Sequence, residues 1–216
     1  MKSLCILTAA ALAAGATPAH AQEGNVLVRA RAILVSPTES AGPVQPSFPG
    51  ASVSVTDSWA PEVDATYFLN DHVGVELIAA TTKHKVRGTG SLGALGKLAD
   101  TWVLPPTLTL QYHIAPKAKV RPYVGVGVNY THFYKEKASS ALQGAIGNTS
   151  VRLKDSFGYN LQAGVDFQLR RNLFLNLDVK YIDIDTTARL RTGSLVNRVR
   201  VSLDPIVAGV GLGVRF

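Results

Sequence analysis

Apolar and polar residues alternate with a period of two along most of this chain, in stretches of about ten residues separated by turn-forming clusters, the pattern of strands that cross an outer membrane. Eight stretches show it. In the first, Val26, Val28, Ala30, Ala32 and Leu34 share one face, predicted to meet lipid, and Leu27, Arg29, Arg31, Ile33 and Val35 share the other. The second, from Ser58 to Leu69, turns Trp59, Val63, Ala65, Tyr67 and Leu69 outward and Glu62, Asp64 and Thr66 inward. In the third, Val73, Val75, Leu77 and Ala79 oppose Glu76. The fourth, Thr101 to Ile114, sets Trp102, Leu104, Leu108, Leu110, Tyr112 and Ile114 against Thr107, Thr109, Gln111 and His113. The fifth alternates Val124, Val126, Val128 and Tyr130 with Tyr123, Gly125, Gly127, Asn129 and Thr131, whose small inward glycines are expected to leave room inside. The sixth runs from Ser156 to Leu169 with Asn160, Gln162, Asp166 and Gln168 inward, and the seventh from Leu173 with Asn176, Asp178 and Lys180 inward. The last alternates Ile206, Ala208, Val210, Leu212, Val214 and Phe216 with inward glycines.

The connections run long, short, long, short, long, short, long, with the brief ones at Asn70, Pro116 and Arg171. Short periplasmic turns and long outer loops are the habit of bacterial barrels. The predicted fold is therefore all-β: an eight-stranded antiparallel transmembrane β-barrel, with both termini on the periplasmic side. A soluble sandwich or lipocalin-like barrel also alternates, but with its apolar face inward. Against it stand apolar faces almost free of charge and the aromatics near strand ends, Trp59, Trp102, Tyr67, Tyr112, Tyr130 and Tyr181, which suit interfacial girdles.

Ahead of the strands, Lys2, the apolar run Leu4 to Ala16, Pro18 and the triplet Ala19-His20-Ala21 make the pattern of a cleavable secretory signal. About 13 apolar residues fall short of the roughly 20 that span a bilayer as a helix. Residues 1–21 are thus expected to be removed, and Cys5 with them, leaving residues 22–216 as a single barrel domain. Loss of Lys2 lowers the formal net charge from +7 to +6. Export makes nucleic acid an unsuitable partner for this basic balance; anionic lipid of the outer membrane suits it better.

The run Trp102-Val103-Leu104-Pro105-Pro106-Thr107-Leu108-Thr109-Leu110-Gln111-Tyr112-His113, the stretch Pro122 to Thr131 and the closing Asp204-Pro205-Ile206 to Phe216 resemble the outer membrane protein W family. The resemblance covers essentially the whole mature chain; the first outer loop, Pro37 to Ala51, carries none of it. It implies an eight-stranded barrel with a hydrophobic interior channel that admits small apolar molecules. The terminal aromatic Phe216 on an alternating strand resembles the signal read by the barrel-assembly machinery.

Strand direction converts position into height and divides the lumen. Toward the outer end lie Ile33, Val35, Val103, Phe133, Ile182, Ile184 and Val207, an apolar set expected to line a channel or pocket. Below lie Arg29, Arg31, Lys180 and Arg215 with Glu62, Asp64, Glu76, Asp166 and Asp178. An eight-stranded barrel is just wide enough for side chains to fill, so the charged set is expected to plug the floor. Pro105 and Pro106 interrupt the fourth strand and cannot donate to a ladder. They mark either a seam for lateral release into the bilayer or a bulge that bends the strand.

Basic residues gather near the outer loops, Lys83, Lys85, Arg87, Lys97, Lys135, Lys137, Arg152, Lys154, Arg189, Arg191, Arg198 and Arg200, where lipopolysaccharide phosphates are natural counter-ions. The loops, roughly 15 to 20 residues each, are also long enough for an adhesive barrel that works through them. Leu92, Leu95 and Leu98 in the second favour a hydrophobic entry. A lipid-modifying enzyme is the third class. His132 stands near the outer end of the fifth strand, but Tyr134 occupies the position where barrel lipid A deacylases carry a serine, so no catalytic residue is assigned. His72, His84 and His113 lie on separate segments, which supports no metal site, and no cofactor is implied.

Overall fold

The computed structural model describes residues 24–216. The expected leader, residues 1–21 with Cys5, lies outside them. In chain order the elements are β1 (Val26–Ser36), β2 (Ser40–Ala41), β3 (Ala51–Val55), β4 (Ser58–Phe68), β5 (Val73–Ala80), β6 (Thr82–Gly90), β7 (Lys97–Leu104), β8 (Thr107–His113), β9 (Val120–Ala138), α1 (Ser140–Ile146), β10 (Thr149–Leu153), β11 (Ser156–Gln168), β12 (Leu173–Ile182), β13 (Asp185–Thr192), β14 (Leu195–Ser202) and β15 (Ile206–Arg215).

Eight of these strands close a barrel in the order β1, β4, β5, β8, β9, β11, β12, β15, with β15 pairing back to β1. Closure leaves none of these eight strands at a sheet edge, which a bilayer demands because lipid offers no partner for backbone N–H and C=O groups. The turns at the lower end are tight for local reasons. Asn70 caps the β4–β5 turn by accepting the N–H groups of His72 and Val73 with its side-chain oxygen, both at 2.9 Å.

The faces are those of a membrane protein. Val63, Leu77, Leu108, Val126, Leu161, Val179 and Val210 are all exposed on the outer wall, while Arg29, Glu76, Thr109, Asn160 and Asn176 are wholly buried inside. A soluble barrel reverses this arrangement. The inward glycines do not leave room, contrary to the sequence-based expectation. A Cβ on Gly164 would lie 2.3 Å from the Tyr123 hydroxyl, and one on Gly127 would lie 2.0 Å from the Leu108 carbonyl oxygen. These glycines let side chains of neighbouring strands lie against the backbone and fill the lower lumen.

The outer connections are not structureless loops. They continue the wall upward as two sheets: β3, β6 and β7 carried on the upper half of β9, and β10, β13, β14 and β2. Here the alternation keeps its period but changes sign. On β6, Lys83, Lys85 and Arg87 face out while Thr82 and His84 are buried; on β14, Arg198 and Arg200 face out while Val199 and Val201 are buried. Above the bilayer the surroundings are water, so the apolar set turns inward.

Between the two upper sheets no ladder forms among the described residues, and side chains bridge both joints. At one, Val55 N–H donates to Glu39 at 2.8 Å and the Ser52 hydroxyl to the Ala41 carbonyl at 2.9 Å. At the other, Leu153 N–H donates to Glu136 at 3.2 Å and Phe133 N–H to Asp155 at 3.3 Å.

Candidate functional site

The upper wall encloses a cavity of about 90 Å³. Ile33, Val35, Val103, Phe133, Ile182, Ile184 and Val207 all line it. Its roof includes Leu142, 1 % exposed, carried on α1, whose first turn is held by the Ser139 hydroxyl accepting Leu142 N–H at 3.1 Å. Leu92 and Leu98 pack into the same apolar cluster with Leu95 against it, and Leu98 also lines the cavity. The first outer loop joins them: Val44 is buried there and Phe48 packs on the cluster.

The floor is a network of ion pairs. Arg29, fully buried, holds Asp166 through two bonds of 3.2 and 2.9 Å, Asp64 at 3.0 Å and Glu76 at 3.4 Å. Arg31 reaches Glu62 at 2.9 Å, Glu76 at 3.0 Å and Asp178 at 3.5 Å, and also pairs with Asp64. Lys180 closes the group with Asp178 at 2.7 Å and Glu62 at 2.9 Å. Neutral groups complete the network: Tyr123 hydroxyl and Gln162 amide both donate to Asp178 at 2.8 Å, and Asn176 donates to Asp166 at 2.8 Å. Buried charges persist when paired and hydrogen-bonded in this way, and β1 supplies both guanidinium groups because Arg29 and Arg31 stand two apart on its inner face.

Arg215, expected among the charges of the floor, lies at its lower end. It lies apart from the central network, its guanidinium 4.1 Å from the Phe68 ring and its Nε donating to Gly24 carbonyl at 2.8 Å. Arg121, which the alternation pattern does not single out, sits in this bottom layer against Phe174, at 4.8 Å.

Pro105, which lines the cavity, and its neighbour Pro106 separate β7 from β8. There is no bulge. The residue offset that pairs β5 with β8 below also pairs β6 with β7 above, and the same holds against β9. What is lost is the ladder itself. Between Ile78–Thr107 and Thr82–Val103 no pair forms, leaving Ala79, Ala80 and Thr81 opposite Leu104, Pro105 and Pro106. The Thr81 hydroxyl spans part of the break, donating to Val103 carbonyl at 3.3 Å. On the β9 side Tyr130 N–H still donates to Pro106 carbonyl at 3.1 Å, so the seam lies toward β5 and β6. Proline alone does not cause it: at Pro205 the wall stays closed through Ile182 N–H to Pro205 carbonyl at 3.2 Å and Leu203 N–H to Ile184 carbonyl at 2.9 Å.

Comparison with known proteins agrees with this architecture. The OmpW family model matches residues 22–216. This chain belongs to the OmpW family. It is 39 % identical over 220 residues to outer membrane protein W of Escherichia coli, covering 100 % of both chains. Among solved structures it resembles the outer membrane protein OprG of Pseudomonas aeruginosa, with a TM-score of 0.84 and 33 % identity over 90 % of this chain and 97 % of that one. Two more distant relatives, each 28 % identical, are outer membrane protein AlkL of Ectopseudomonas oleovorans, over 79 % of this chain and 71 % of its own length, and the dibenzothiophene metabolism operon protein PahQ of Pseudomonas aeruginosa, over 78 % and 76 %. The protein is thus an OmpW-type barrel of the bacterial outer membrane.

Of the remaining candidates of this OmpW chain, His84 reaches the chamber and His132, His113 and His72 lie outside it. His132 is half exposed on the outer wall; its Nδ1 bonds Asp155 at 3.0 Å, and its ring stacks on Tyr134 at 6.2 Å. His84 lines the cavity and is bonded to Thr56 carbonyl at 2.7 Å and Thr82 hydroxyl at 2.9 Å. His113 is buried in the floor layer against Tyr123, and His72 lies in the β4–β5 turn. No group of three His, Cys, Asp or Glu side chains fit to hold a metal occurs among the described residues.

Proposed function

We propose that this barrel takes up small apolar molecules, receiving them in the upper chamber and releasing them sideways into the bilayer at the Pro105–Pro106 seam. The observation that carries the reading is one of continuity. An apolar cavity stands on a charged floor, and its wall includes Pro105, beside the stretch where the ladder between Ala79–Thr81 and Leu104–Pro106 is missing. An apolar solute gains nothing by crossing the floor, where it would have to part desolvated ion pairs. Moving sideways it passes from one apolar medium to another. The names of the relatives AlkL and PahQ, the latter tied to dibenzothiophene metabolism, support an apolar cargo.

Size adds a condition. An engineered cavity of roughly 150 Å³ takes up benzene, whereas this chamber measures about 90 Å³. Passage therefore requires the roof or the seam to yield. The test is uptake of dibenzothiophene by cells that depend on this barrel, comparing wild type with Ala80→Leu. Ala80 lines both cavity and seam, and the larger side chain fills the exit at a cost of about 1–3 kcal/mol in packing. Uptake should fall while the folded barrel still reaches the membrane; unchanged uptake would reject the route.

A further inference from the structure

The two upper sheets differ in how they carry charge. On the sheet of β6, β7 and β9, cations and an acid alternate across the strands: Lys85 stands opposite Asp100, which stands opposite Lys137. On the sheet of β10, β13 and β14 the corresponding row is Arg152, Arg189, Arg198. All three are exposed on the outer face. Directly opposed side chains lie about 5 Å apart at Cβ, and like charges so placed destabilise a sheet. Glu136 answers Arg152 at 3.2 Å. Arg189, Arg191, Arg198 and Arg200 have no acidic partner among the described residues.

One row lower, Lys154 meets Thr187 through its N–H and Thr187 stands opposite Arg200. Lys154 and Arg200 form the walls of an outer groove of about 570 Å³, with the Thr187 and Ser202 hydroxyls between them. Two carboxylates also reach the groove and both are engaged: Asp185 by the Ser202 hydroxyl, Asp155 by Tyr130 and His132. The lower lip is Phe157, 73 % exposed. Beneath it the wall is apolar and aromatic, with Tyr159, Tyr181 and Leu161. Lys154 is three residues above Phe157, about 10 Å along the strand. A lipid whose chains lie against that wall presents its headgroup at this height.

We propose that the outer face of β10, β13 and β14 binds a phosphorylated glycolipid of the outer leaflet, the lipid A part of lipopolysaccharide. One phosphate sits between Lys154 and Arg200 and another on the Arg189–Arg198 pair, and the acyl chains run down over Phe157. An anion there relieves the cross-strand repulsion, and a guanidinium pair suits phosphate oxygens because its N–H groups donate in a planar fork. In the matching row of the sheet across the barrel Asp100 stands between Lys85 and Lys137, so no two cations are directly opposed in it.

The full-length barrel in detergent, presented with bisphosphorylated lipid A or with lipid A stripped of both phosphates, tests the assignment by native mass spectrometry. Wild type should retain the bisphosphorylated lipid, and both Arg189→Ser/Arg198→Ser and Lys154→Ser/Arg200→Ser should bind it about tenfold more weakly, a loss of about 1.4 kcal/mol. Lys83→Ser/Lys85→Ser, on the other sheet, should bind as wild type does. Migration on unheated gels reports whether each variant has folded. Equal retention of the dephosphorylated lipid by wild type, a comparison that needs no variant, overturns the proposal. So do patch variants that bind as wild type, an equal loss in the Lys83/Lys85 variant, or displacement of lipid A by a sulfated polysaccharide at lower concentration, which would make a soluble polyanion the occupant.

Discussion

Glu62 and Lys180 form a 2.9 Å ion pair where the apolar chamber meets the charged floor, and both side chains line the cavity. Each also belongs to the network below, through Arg31 and Asp178. The pair is the top course of the plug. Removing Lys180 leaves two buried carboxylates short of a cation, and breaking such pairs costs about 3–5 kcal/mol. Lys180→Ala is therefore expected to lower the urea midpoint of the barrel in lipid vesicles, and Glu62→Ala/Lys180→Ala to lower it less than Lys180→Ala does. In planar bilayers the wild-type barrel should carry no large, stable ion current.

Leu142 is the roof residue most open to test. It is 1 % exposed and reaches the cavity from a helix of one short segment, Ser140–Ile146. Leu142→Ala removes three carbons from the chamber ceiling at a cost of about 2–5 kcal/mol. Uptake of dibenzothiophene should rise relative to that of a smaller probe such as toluene, because the enlarged space favours the larger solute. A variant that shifts neither rate would place the limiting step elsewhere.

Replacing Pro105 by Thr and Pro106 by Val restores two backbone donors in a wall that is already in register, the one at 105 toward Ala80 across the seam and the one at 106 toward β9, where the Pro106 carbonyl already accepts Tyr130 N–H. Each new hydrogen bond is worth about 0.5–1.5 kcal/mol, so the variant should unfold at higher denaturant. Closing the ladder against Ala79–Thr81 should also slow apolar uptake. Greater stability with unchanged uptake would separate the seam from transport.

The joint between β9 and β10 depends on Asp155, which accepts Tyr130 hydroxyl at 2.6 Å and Phe133 N–H at 3.3 Å. The Tyr130 hydroxyl first, and then the His132 ring, hold this carboxyl below its ordinary range. A depressed carboxylate stabilises the fold above its unfolded pKa of about 3.9 and loses that contribution as pH falls through the lower folded value. Protection of the Phe133 amide from hydrogen exchange, corrected for intrinsic rates, should thus be constant from neutral pH to about 4 and decline below it. In Asp155→Asn the amide should be less protected throughout.

Much of this was readable before any coordinates. The alternation Val26 to Val35 assigned the inner and outer faces of β1, and counting strand direction put Ile33 above Arg31 and Arg31 above Arg29. The upper strands are less legible because no apolar face turned outward marks them. Thr82 to Arg87 alternates as regularly as any segment, with lysines on the outside and His84 inside. Arg121 is not legible as a buried residue because one charged residue beside Pro122 reads as a turn. Its burial depends on Phe174, more than fifty residues away in sequence.

Alternation along the chain was enough for the barrel, the inner and outer faces of its eight membrane-crossing strands and the division of the lumen into apolar and charged halves, because a period of two is a local property of the backbone. What is not local came with the fold. It set the register that removes a bulge at Pro105 and leaves a ladder gap, the partner of each buried charge, and the row that places Arg189 between Arg152 and Arg198. These depend on which residues of distant strands stand opposite one another, and that is settled when the ring closes.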